Sequence, residues 1–376
     1  MNKFFENVNK NFGFGMMRLP MKGNEVDFDQ VNIMVDEFIN SGFNYFDTAH
    51  GYIDGQSEIA VNKCLASRYS RDKFILTNKL TEPYFKKEED IYPFFESQLK
   101  ICGVEYFDFY LMHAQNARNF EHFKKYRAYE AAFKLKEEGK IKHVGISFHD
   151  KVDVLEKILT EYPQIEVVQI QYNYLDYNDD AIQSKKLYEL CKKYNKPVIV
   201  MEPVRGGSLV NLPNEAKKVF DSLSKDSYAS FAIRFAATGD QMMMVLSGMS
   251  DINQMRDNIS YMKDFKPIND VELEAINKVV EIFNSKNMIA CTSCRYCTAG
   301  CPKNIDIPNL FSCYNSKKLF NSWNADFYYE TVHTANKGKA SDCIKCGKCE
   351  RICPQNLPIR KLLELVKEEF ESKKEN

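Results

Sequence analysis

Two short runs of cysteine near the carboxyl end constrain this chain more than any other feature. The first, CTSCRYCTAGCP, spans residues 291–302, and the second, CIKCGKCERICP, spans residues 343–354. Both read C-x2-C-x2-C-x3-C-P, and together they hold eight of the 12 cysteines. A disulfide framework is typical of small secreted domains and does not explain this repeated spacing. A zinc site that takes one C-x2-C pair from each run is a second alternative.

The repeated spacing is the signature of bacterial ferredoxins, in which the first three thiolates of a run bind one [4Fe–4S] cluster and the fourth ligates the other cluster. The pattern therefore predicts two clusters with crossed ligands. Residues 302–342 form a long insertion between the runs, so the region resembles the helical ferredoxin modules fused to enzymes more than the smallest free ferredoxins. The predicted ligands are Cys291, Cys294, Cys297 and Cys353 for one cluster, and Cys343, Cys346, Cys349 and Cys301 for the other.

Charge and composition limit the classes of partner. Lys and Arg number 51, Asp and Glu 52, and the net charge is −1. This balance gives no indication of a nucleic-acid or anionic-membrane partner. The hydrophobic fraction of 44% is typical of a soluble globular protein, and no apolar run approaches the length that spans a bilayer. The first residues, MNKFFENVNKNFG, lack the apolar stretch of a signal peptide, so a cytoplasmic location is expected.

The remainder of the chain alternates short β-rich runs with amphipathic segments of helical length. Eight such runs predict a closed parallel (β/α)8 barrel, a TIM barrel, over residues 1–280. A doubly wound sheet is the alternative, but its G-x-G-x-x-G turn is not present. Residues 281–376 are expected to form a small, mainly helical ferredoxin-like iron–sulfur domain that ends in a helix. The runs are 12–18, 43–49, 74–80, 107–113, 143–148, 167–173, 197–203 and 242–248.

Polar side chains end several of the predicted strands, where the active sites of such barrels lie. Asp47 ends the second run and Tyr52 follows it, Lys79 ends the third run, and His113 ends the fourth. Asp47 alone would be a turn or cap residue, and His113 alone a hydrogen-bonded core histidine. Four such residues at matching heights on consecutive strands indicate a site.

These segments resemble the aldo-keto reductases. GFNYFDTAHGY is similar to the family's Asp-Thr-Ala-x-x-Tyr segment, ILTNKL to its lysine strand, YFDFYLMHA to its histidine strand, and LKEEGKIKHVGIS to the stretch before its serine strand. The resemblance covers roughly residues 10 to 260. The fusion to a carboxyl-terminal double-cluster module is similar to the iron–sulfur branch of that family.

The resemblance implies a carbonyl–alcohol interconversion. Tyr52 would be the proton donor, and the ammonium of Lys79 would lower its pKa from an ordinary value of about 10. Asp47 would hold Lys79 charged and in place, and His113 would orient the carbonyl by a hydrogen bond.

The resemblance also implies a nicotinamide cofactor, NAD(H) or NADP(H). Ser147 and Gln171 correspond to residues that bind the nicotinamide carboxamide, and the stretch SGMSDINQMRDN corresponds to the part that holds the phosphates and adenine. Many members have Asn at the position of Phe148. The family's NADPH users often have Lys where this chain has Gly248 and Arg where it has Gln254, so we expect NADH to bind at least as well as NADPH. The cofactor-binding candidates in this stretch are Ser247, Gly248, Gln254 and Asn258.

Two classes of function remain open at this point. The first is an oxidoreductase whose clusters relay electrons to or from a partner, with a small carbonyl or alcohol as substrate. The second is an electron carrier or scaffold in which the barrel is catalytically vestigial. Retention of the four polar residues favours the enzyme. The expected partner is a one-electron donor or acceptor such as a ferredoxin or a flavoprotein.

Overall fold

The computed structural model describes residues 3–179, 182–286, 288–320 and 323–372. Among these residues, no helix combines the length and the apolar character that crossing a membrane requires.

The backbone packs as two units. The first comprises Met1–Pro203 and Ala229–Ile268, and the second comprises Val204–Tyr228 and Asn269–Asn376. All eight barrel strands belong to the first unit, and both cysteine runs belong to the second.

Eight parallel strands close into a barrel, which confirms the fold predicted from the alternating runs. Neighbouring strands follow one another around the barrel, and β1 closes it by pairing with both β8 and β2. A short antiparallel hairpin of Met21–Lys22 and Glu25–Val26 follows β1. The strands are β1 Phe12–Gly15, β2 Tyr45–Asp47, β3 Ile75–Leu80, β4 Phe107–Gln115, β5 Ile141–Phe148, β6 Val167–Gln171, β7 Val198–Met201 and β8 Met242–Gly248.

Helices follow most strands, and the second unit is mainly helical, as expected. Helices α8 and α11–α15 lie in the second unit. The α-helices are α1 Phe28–Asn40, α2 Gln56–Val61, α3 Ile91–Cys102, α4 Ala117–Lys125, α5 Ala128–Glu137, α6 Val152–Glu161, α7 Ser184–Lys193, α8 Asn214–Asp221, α9 Tyr228–Ala237, α10 Ile252–Met262, α11 Asp270–Ser285, α12 Ile307–Phe320, α13 Trp323–Phe327, α14 Lys348–Ile352 and α15 Ile359–Glu371.

The amino-terminal segment packs against the barrel core. Val8 is fully buried in a cluster with core residues such as Tyr45 and Phe109, and Phe4 and Phe5 pack against that cluster. The ring of Phe5 meets the ring of Phe109 edge-on at 5.0 Å. Apolar burial therefore anchors a segment that precedes the first strand.

The second unit has its own small core. Leu310 and Phe311 of α12 pack with Leu363 and Val366 of α15, and all four side chains are buried. Five of the eight cysteines in the two runs are partly buried against this core. Helix α11 begins at a capping box in which Asn269 and Glu272 satisfy each other's backbone N–H groups.

Candidate active site and cluster cavities

The carboxyl ends of three neighbouring strands bring charged and polar side chains together. Asp47 is the last residue of β2, Lys79 the next-to-last of β3, and His113 lies near the end of β4. Because the strands are parallel and adjacent, residues near their carboxyl ends meet at one mouth of the barrel. In the strand register Asp47 lies opposite Thr77 and Lys79 opposite Leu111, so each successive site residue lies two positions further along its strand.

Asp47 and Lys79 form a buried ion pair. Lys79 Nζ donates to Asp47 Oδ1 at 2.6 Å and to the carbonyl oxygen of Thr48 at 2.8 Å. The Lys79 side chain is 0% exposed and that of Asp47 is 4% exposed. Burial lowers the pKa of Lys79, and the carboxylate of Asp47 opposes that lowering. Removal of either partner would leave a buried charge uncompensated.

Tyr52 lies in a tight turn directly after β2. The turn Tyr52–Gly55 has two successive non-glycine residues with positive φ, Ile53 at 50° and Asp54 at 52°. This conformation is costly for side-chain-bearing residues, and such strain is typical of functional loops. Lys79 Nζ lies 4.8 Å from the centre of the Tyr52 ring. The ring of His113 meets that of Tyr52 at 6.0 Å, close to edge-on.

The pKa of Tyr52 moves opposite to the direction that the resemblance implies. Burial raises it well above its ordinary value, and the negative charges of Asp47 and Glu202 raise it further. Glu202 directly follows β7, and no sequence motif pointed to it. The ammonium of Lys79, which is paired with Asp47, does not reverse this direction. Tyr52 therefore holds its proton firmly at neutral pH.

His113 is a neutral imidazole at ordinary pH. Burial lowers its pKa well below the usual value, and the positive charges of Lys79 and His149 lower it further. His113 Nδ1 lies 2.8 Å from the hydroxyl of Thr81, just beyond β3. His149 directly follows β5, and burial lowers its own pKa to about 4, with Lys79 contributing. Sequence reasoning missed His149, although its position at a strand end was visible.

A buried hydrogen-bond network lies next to this site. The carboxylate of Glu58 on α2 accepts from Asn78 at 2.8 Å and from Gln98 on α3 at 3.0 Å. His50 Nδ1 lies 2.7 Å from its second oxygen, and Tyr110 donates to Gln98 at 2.6 Å. This network connects the segment around the turn of Tyr52 with the outer face of β3. It therefore holds that turn in place.

The residues expected to hold a nicotinamide carboxamide lie at the ends of β5 and β6. The Ser147 hydroxyl is buried and has no hydrogen-bond partner among the residues that the structure describes. A buried hydroxyl without a partner costs free energy, which a bound polar group would recover. Gln171 donates its Nε2 to the buried carboxylate of Asp176 at 2.7 Å. Phe148, where many members have Asn, is buried.

The candidates after β8 form two separate sets of contacts. Asn258 on α10 donates to the Ser247 hydroxyl at 2.9 Å and accepts from Tyr261 at 2.5 Å. Gln254 accepts from the backbone N–H of Ser250 at 2.9 Å, so its side chain closes the turn that begins α10.

Two arginines lie near these candidates. Arg256 Nε contacts both carboxylate oxygens of Glu37, at 2.9 and 3.0 Å, which directs it towards α1. Arg18, from the loop after β1, instead packs its aliphatic stem over Gly248. A Cβ added at Gly248 would lie 3.2 Å from the Cβ of Arg18. Because Gly248 has no side chain, the stem of Arg18 can occupy the space beside it.

In the second unit, the eight cysteines line two cavities. The first cluster cavity is lined by three cysteines of the first run and the last cysteine of the second run, Cys291, Cys294, Cys297 and Cys353. The second cluster cavity is lined by Cys301, Cys343, Cys346 and Cys349. This three-plus-one division matches the crossed ligands of a double-cluster ferredoxin, whereas the zinc alternative requires two cysteines from each run. The buried side chain of Ile307 lines both cavities.

The thiol groups and backbone of these cavities fit iron–sulfur clusters. Thiolates are the ligands of such clusters. The backbone N–H of Ile305 donates to the sulfur of Cys301 at 3.5 Å. Such N–H···S contacts tune the reduction potentials of clusters.

The fold and the two sets of residues define an oxidoreductase barrel fused to an iron–sulfur module. The profile of the aldo/keto reductase family matches residues 11–281, and the profile of a 4Fe-4S dicluster domain matches residues 290–358. The chain therefore belongs to the aldo/keto reductase family and carries an additional 4Fe-4S dicluster domain.

Known proteins with similar sequences or structures agree with this assignment. An NADH-specific methylglyoxal reductase of Escherichia coli (strain K12) is 24% identical over 281 residues, which span 62% of this chain and 83% of that protein. The holo form of a Bacillus halodurans aldo-keto reductase aligns with a TM-score of 0.59 at 24% identity, over 72% of this chain and 92% of that one. A Klebsiella pneumoniae aldo-keto reductase in complex with NADPH aligns with a TM-score of 0.59 at 18% identity, over 73% and 95%. The two structural likenesses bear on the fold alone.

Proposed function

We propose that the barrel interconverts a small carbonyl compound and its alcohol, with Asp47, Tyr52, Lys79 and His113 as the catalytic set. The observation that carries the proposal is the buried Asp47–Lys79 pair next to the rings of Tyr52 and His113 at the carboxyl ends of the strands. An ammonium and two aromatic proton carriers meet there, and such a group of polar side chains suits acid–base chemistry on a carbonyl.

Tyr52 acts as the general acid. Its raised pKa keeps the phenol protonated, and an alkoxide that develops on the substrate is a much stronger base than a phenolate. Proton transfer from Tyr52 to that oxygen is therefore favourable in the direction of reduction. In the direction of oxidation the phenolate is needed, and Lys79 is the nearby cation that stabilises it.

His113 orients the carbonyl. Its lowered pKa keeps the ring neutral, so one nitrogen carries the proton and the other accepts. We assign the proton to Nε2, because Nδ1 can accept from the hydroxyl of Thr81. The Nε2–H group then donates a hydrogen bond to the carbonyl oxygen without competing with Tyr52 as an acid.

NAD(H) or NADP(H) is the proposed hydride carrier, and it supplies or accepts a hydride when bound. Ser147 and Gln171 would hold its carboxamide, and the support for this is the buried, unpartnered hydroxyl of Ser147. Ser247, Gly248, Gln254 and Asn258 would line the phosphate and adenosine end. The E. coli relative is described as NADH-specific and the Klebsiella relative was solved with NADPH, so both nucleotides occur among similar proteins.

Two [4Fe–4S] clusters are the proposed occupants of the two cluster cavities, and such clusters carry single electrons when bound. A one-electron carrier such as a ferredoxin or a flavoprotein is the proposed partner. The support is the division of the cysteines between the cavities and the shared wall at Ile307, which makes the two cavities neighbours. A purely structural site would need one cluster or a zinc ion.

Tyr52→Phe tests the barrel proposal. We expect loss of carbonyl reduction by at least about a hundredfold, because general acid catalysis contributes about that much. Nucleotide affinity measured by calorimetry should change little, because the substitution removes only a hydroxyl group. Turnover of a reactive aldehyde at the wild-type rate would contradict the role of Tyr52.

Replacement of both Cys294 and Cys346 by Ser tests the relay proposal, since the first substitution removes one ligand from the first cavity and the second removes one from the second cavity. Turnover with a one-electron donor should vanish, while turnover driven by NADH or NADPH should persist. Circular dichroism checks that the barrel stays folded. Activity that survives with every donor would show that the clusters do not relay electrons.

A further inference from the structure

The two cluster cavities differ in their access to solvent. In the first cavity, Cys297 is 8% exposed and the lining residues Thr292 and Phe311 are buried. In the second cavity, Cys346 is exposed and the lining residue Ile344 is 57% exposed. An exposed apolar side chain thus lies at the edge of the second cavity, where a partner protein could contact it.

Charge is distributed as unevenly as exposure. Lys303 and Lys348 line the second cavity, and both are exposed. Within the described part of the chain, neither lysine forms an ion pair. In the first cavity the lining cation is Arg295, whose guanidinium contacts Asp306 at 3.2 Å. The second cavity therefore presents uncompensated positive charge, and the first does not.

Nearby acidic groups do not cancel this charge. Glu350, the acidic residue of the second run, accepts from Arg360 Nε at 2.7 Å and from the Arg360 backbone N–H at 2.8 Å. Ile352 lies one turn after Lys348 on α14, so it shares a helix face with that lysine, and it is 54% exposed. The surface thus combines apolar centres with lysines, which is the composition of a transient electrostatically steered interface.

We propose that the second cluster cavity is the port for electron exchange and that its rim, Lys303, Ile344, Lys348 and Ile352, docks an acidic one-electron carrier protein. The inference rests on the proposed presence of clusters in the cavities. In the docked complex one electron leaves the reduced carrier and enters the iron–sulfur unit, and no covalent bond forms or breaks. The first cavity, whose Cys297 is buried, then exchanges electrons with the carrier through the second.

The test is direct binding, independent of turnover. The anaerobically prepared full chain is titrated by calorimetry with an acidic flavodoxin and, separately, with a basic cytochrome c. We expect the flavodoxin to bind and its affinity to fall steeply with added salt, because exposed charges are screened. The double variant Lys303→Glu, Lys348→Glu should weaken binding at low salt about tenfold or more and flatten the salt dependence.

The control carries the same change of charge elsewhere in the second unit. Lys218→Glu with Lys225→Glu alters two lysines that line neither cavity, and we expect its affinity for flavodoxin to stay within about twofold. Equal losses in the two double variants, or preferential binding of the cytochrome c, would overturn the docking site. If the wild-type chain shows no iron–sulfur absorbance, the proposal that the cavities hold clusters is refuted. The proposed site of electron exchange is then refuted as well.

Discussion

At the scale of single residues, the environment of Tyr52 determines how this proposed acid would behave. The sequence resemblance implies a phenol whose pKa is lowered by Lys79. The structure instead surrounds it with apolar material and two carboxylates, Asp47 and Glu202, which raise that pKa. The raised pKa keeps Tyr52 protonated near neutrality, which suits the role of general acid proposed for it in carbonyl reduction.

The two directions of reaction should differ in their dependence on pH. Because Tyr52 stays protonated until well above its ordinary pKa of about 10, the rate of carbonyl reduction should be level from neutral pH to about pH 10. Alcohol oxidation needs the phenolate, so its rate should rise with pH, by up to about tenfold per unit. Steady-state rates in both directions across this range check the prediction. A fall of the reduction rate between about pH 7 and pH 9 would mean that the pKa of Tyr52 is lowered.

Arg18 is expected to contribute to nucleotide binding. Its aliphatic stem covers Gly248, the position where the resemblance implies a lysine in the family's NADPH users. Arg18→Gln should weaken binding by about tenfold, since a hydrogen bond to a charged group contributes about 1.5–3 kcal/mol. A loss for NADPH alone indicates contact with the 2′-phosphate, and equal losses for NADH and NADPH indicate contact with the diphosphate.

Arg256→Gln is the matched control for Arg18, because Glu37 already binds the guanidinium of Arg256. We expect its affinities for both nucleotides to remain within about twofold of wild type, as for most surface changes. Indistinguishable affinities in the two variants would contradict the assignment of Arg18.

At the scale of elements, strand β3 places neighbouring side chains in two different environments. Successive residues of a strand point to opposite faces, so Lys79 faces the barrel interior and Asn78 faces the helices. Lys79 meets Asp47, while Asn78 meets Glu58 of α2. Gln98 of α3 links to both Glu58 and Asn78, which joins three elements around one buried carboxylate.

Tyr110→Phe tests how much this network stabilises the barrel. Tyr110 is fully buried and donates to Gln98 at 2.6 Å, so the substitution leaves a buried acceptor unpaired. The free energy of unfolding should fall by about 1–3 kcal/mol. Tyr92→Phe removes the more exposed bond to Glu138 at 3.3 Å and should cost less than about 0.5 kcal/mol. Urea denaturation of both variants measures the difference, and equal costs would mean that the network adds no stability.

At the scale of the whole molecule, two units obtain their cores in different ways. The barrel buries a large apolar core, whereas the second unit has a small one to which partly buried cysteines contribute. A small apolar core contributes little free energy of folding. A bound metal commonly adds more, because it joins ligands from distant segments of the chain. Each of the two cavities is lined by cysteines from both runs, so a cluster in each cavity would link the two runs.

Cys301→Ala should remove the cluster held by the second run rather than the one adjacent in sequence. Cys301 lines the cavity of Cys343, Cys346 and Cys349, so its loss leaves that cavity one ligand short. Iron content should fall from about eight atoms towards about four per chain. Electron paramagnetic resonance then identifies which of the two clusters remains. The spectrum of Cys301→Ala should match that of Cys343→Ala, and a match with Cys291→Ala would show that the ligands are not crossed.

The sequence by itself determined the barrel, the iron–sulfur module and the candidate residues at the strand ends. The alternation of strands and helices follows from the local periodicity of apolar residues. The spacing of the cysteines follows from the geometry of the thiolate ligands that clusters need. Asp47, Lys79 and His113 could be found because parallel strands in register bring equivalent positions to one end of the barrel. These properties depend on neighbours in sequence or on the rules of one fold.

Only the tertiary structure decided the properties that depend on distant neighbours. Burial in the folded chain raises the pKa of Tyr52, and the charge of Glu202, which is 150 positions away in the chain, adds to that rise. Arg18 covers Gly248 although the two lie at opposite ends of the barrel sequence, and Glu37 engages Arg256. Electrostatic energies and packing vary with distance in space, and the sequence does not contain those distances.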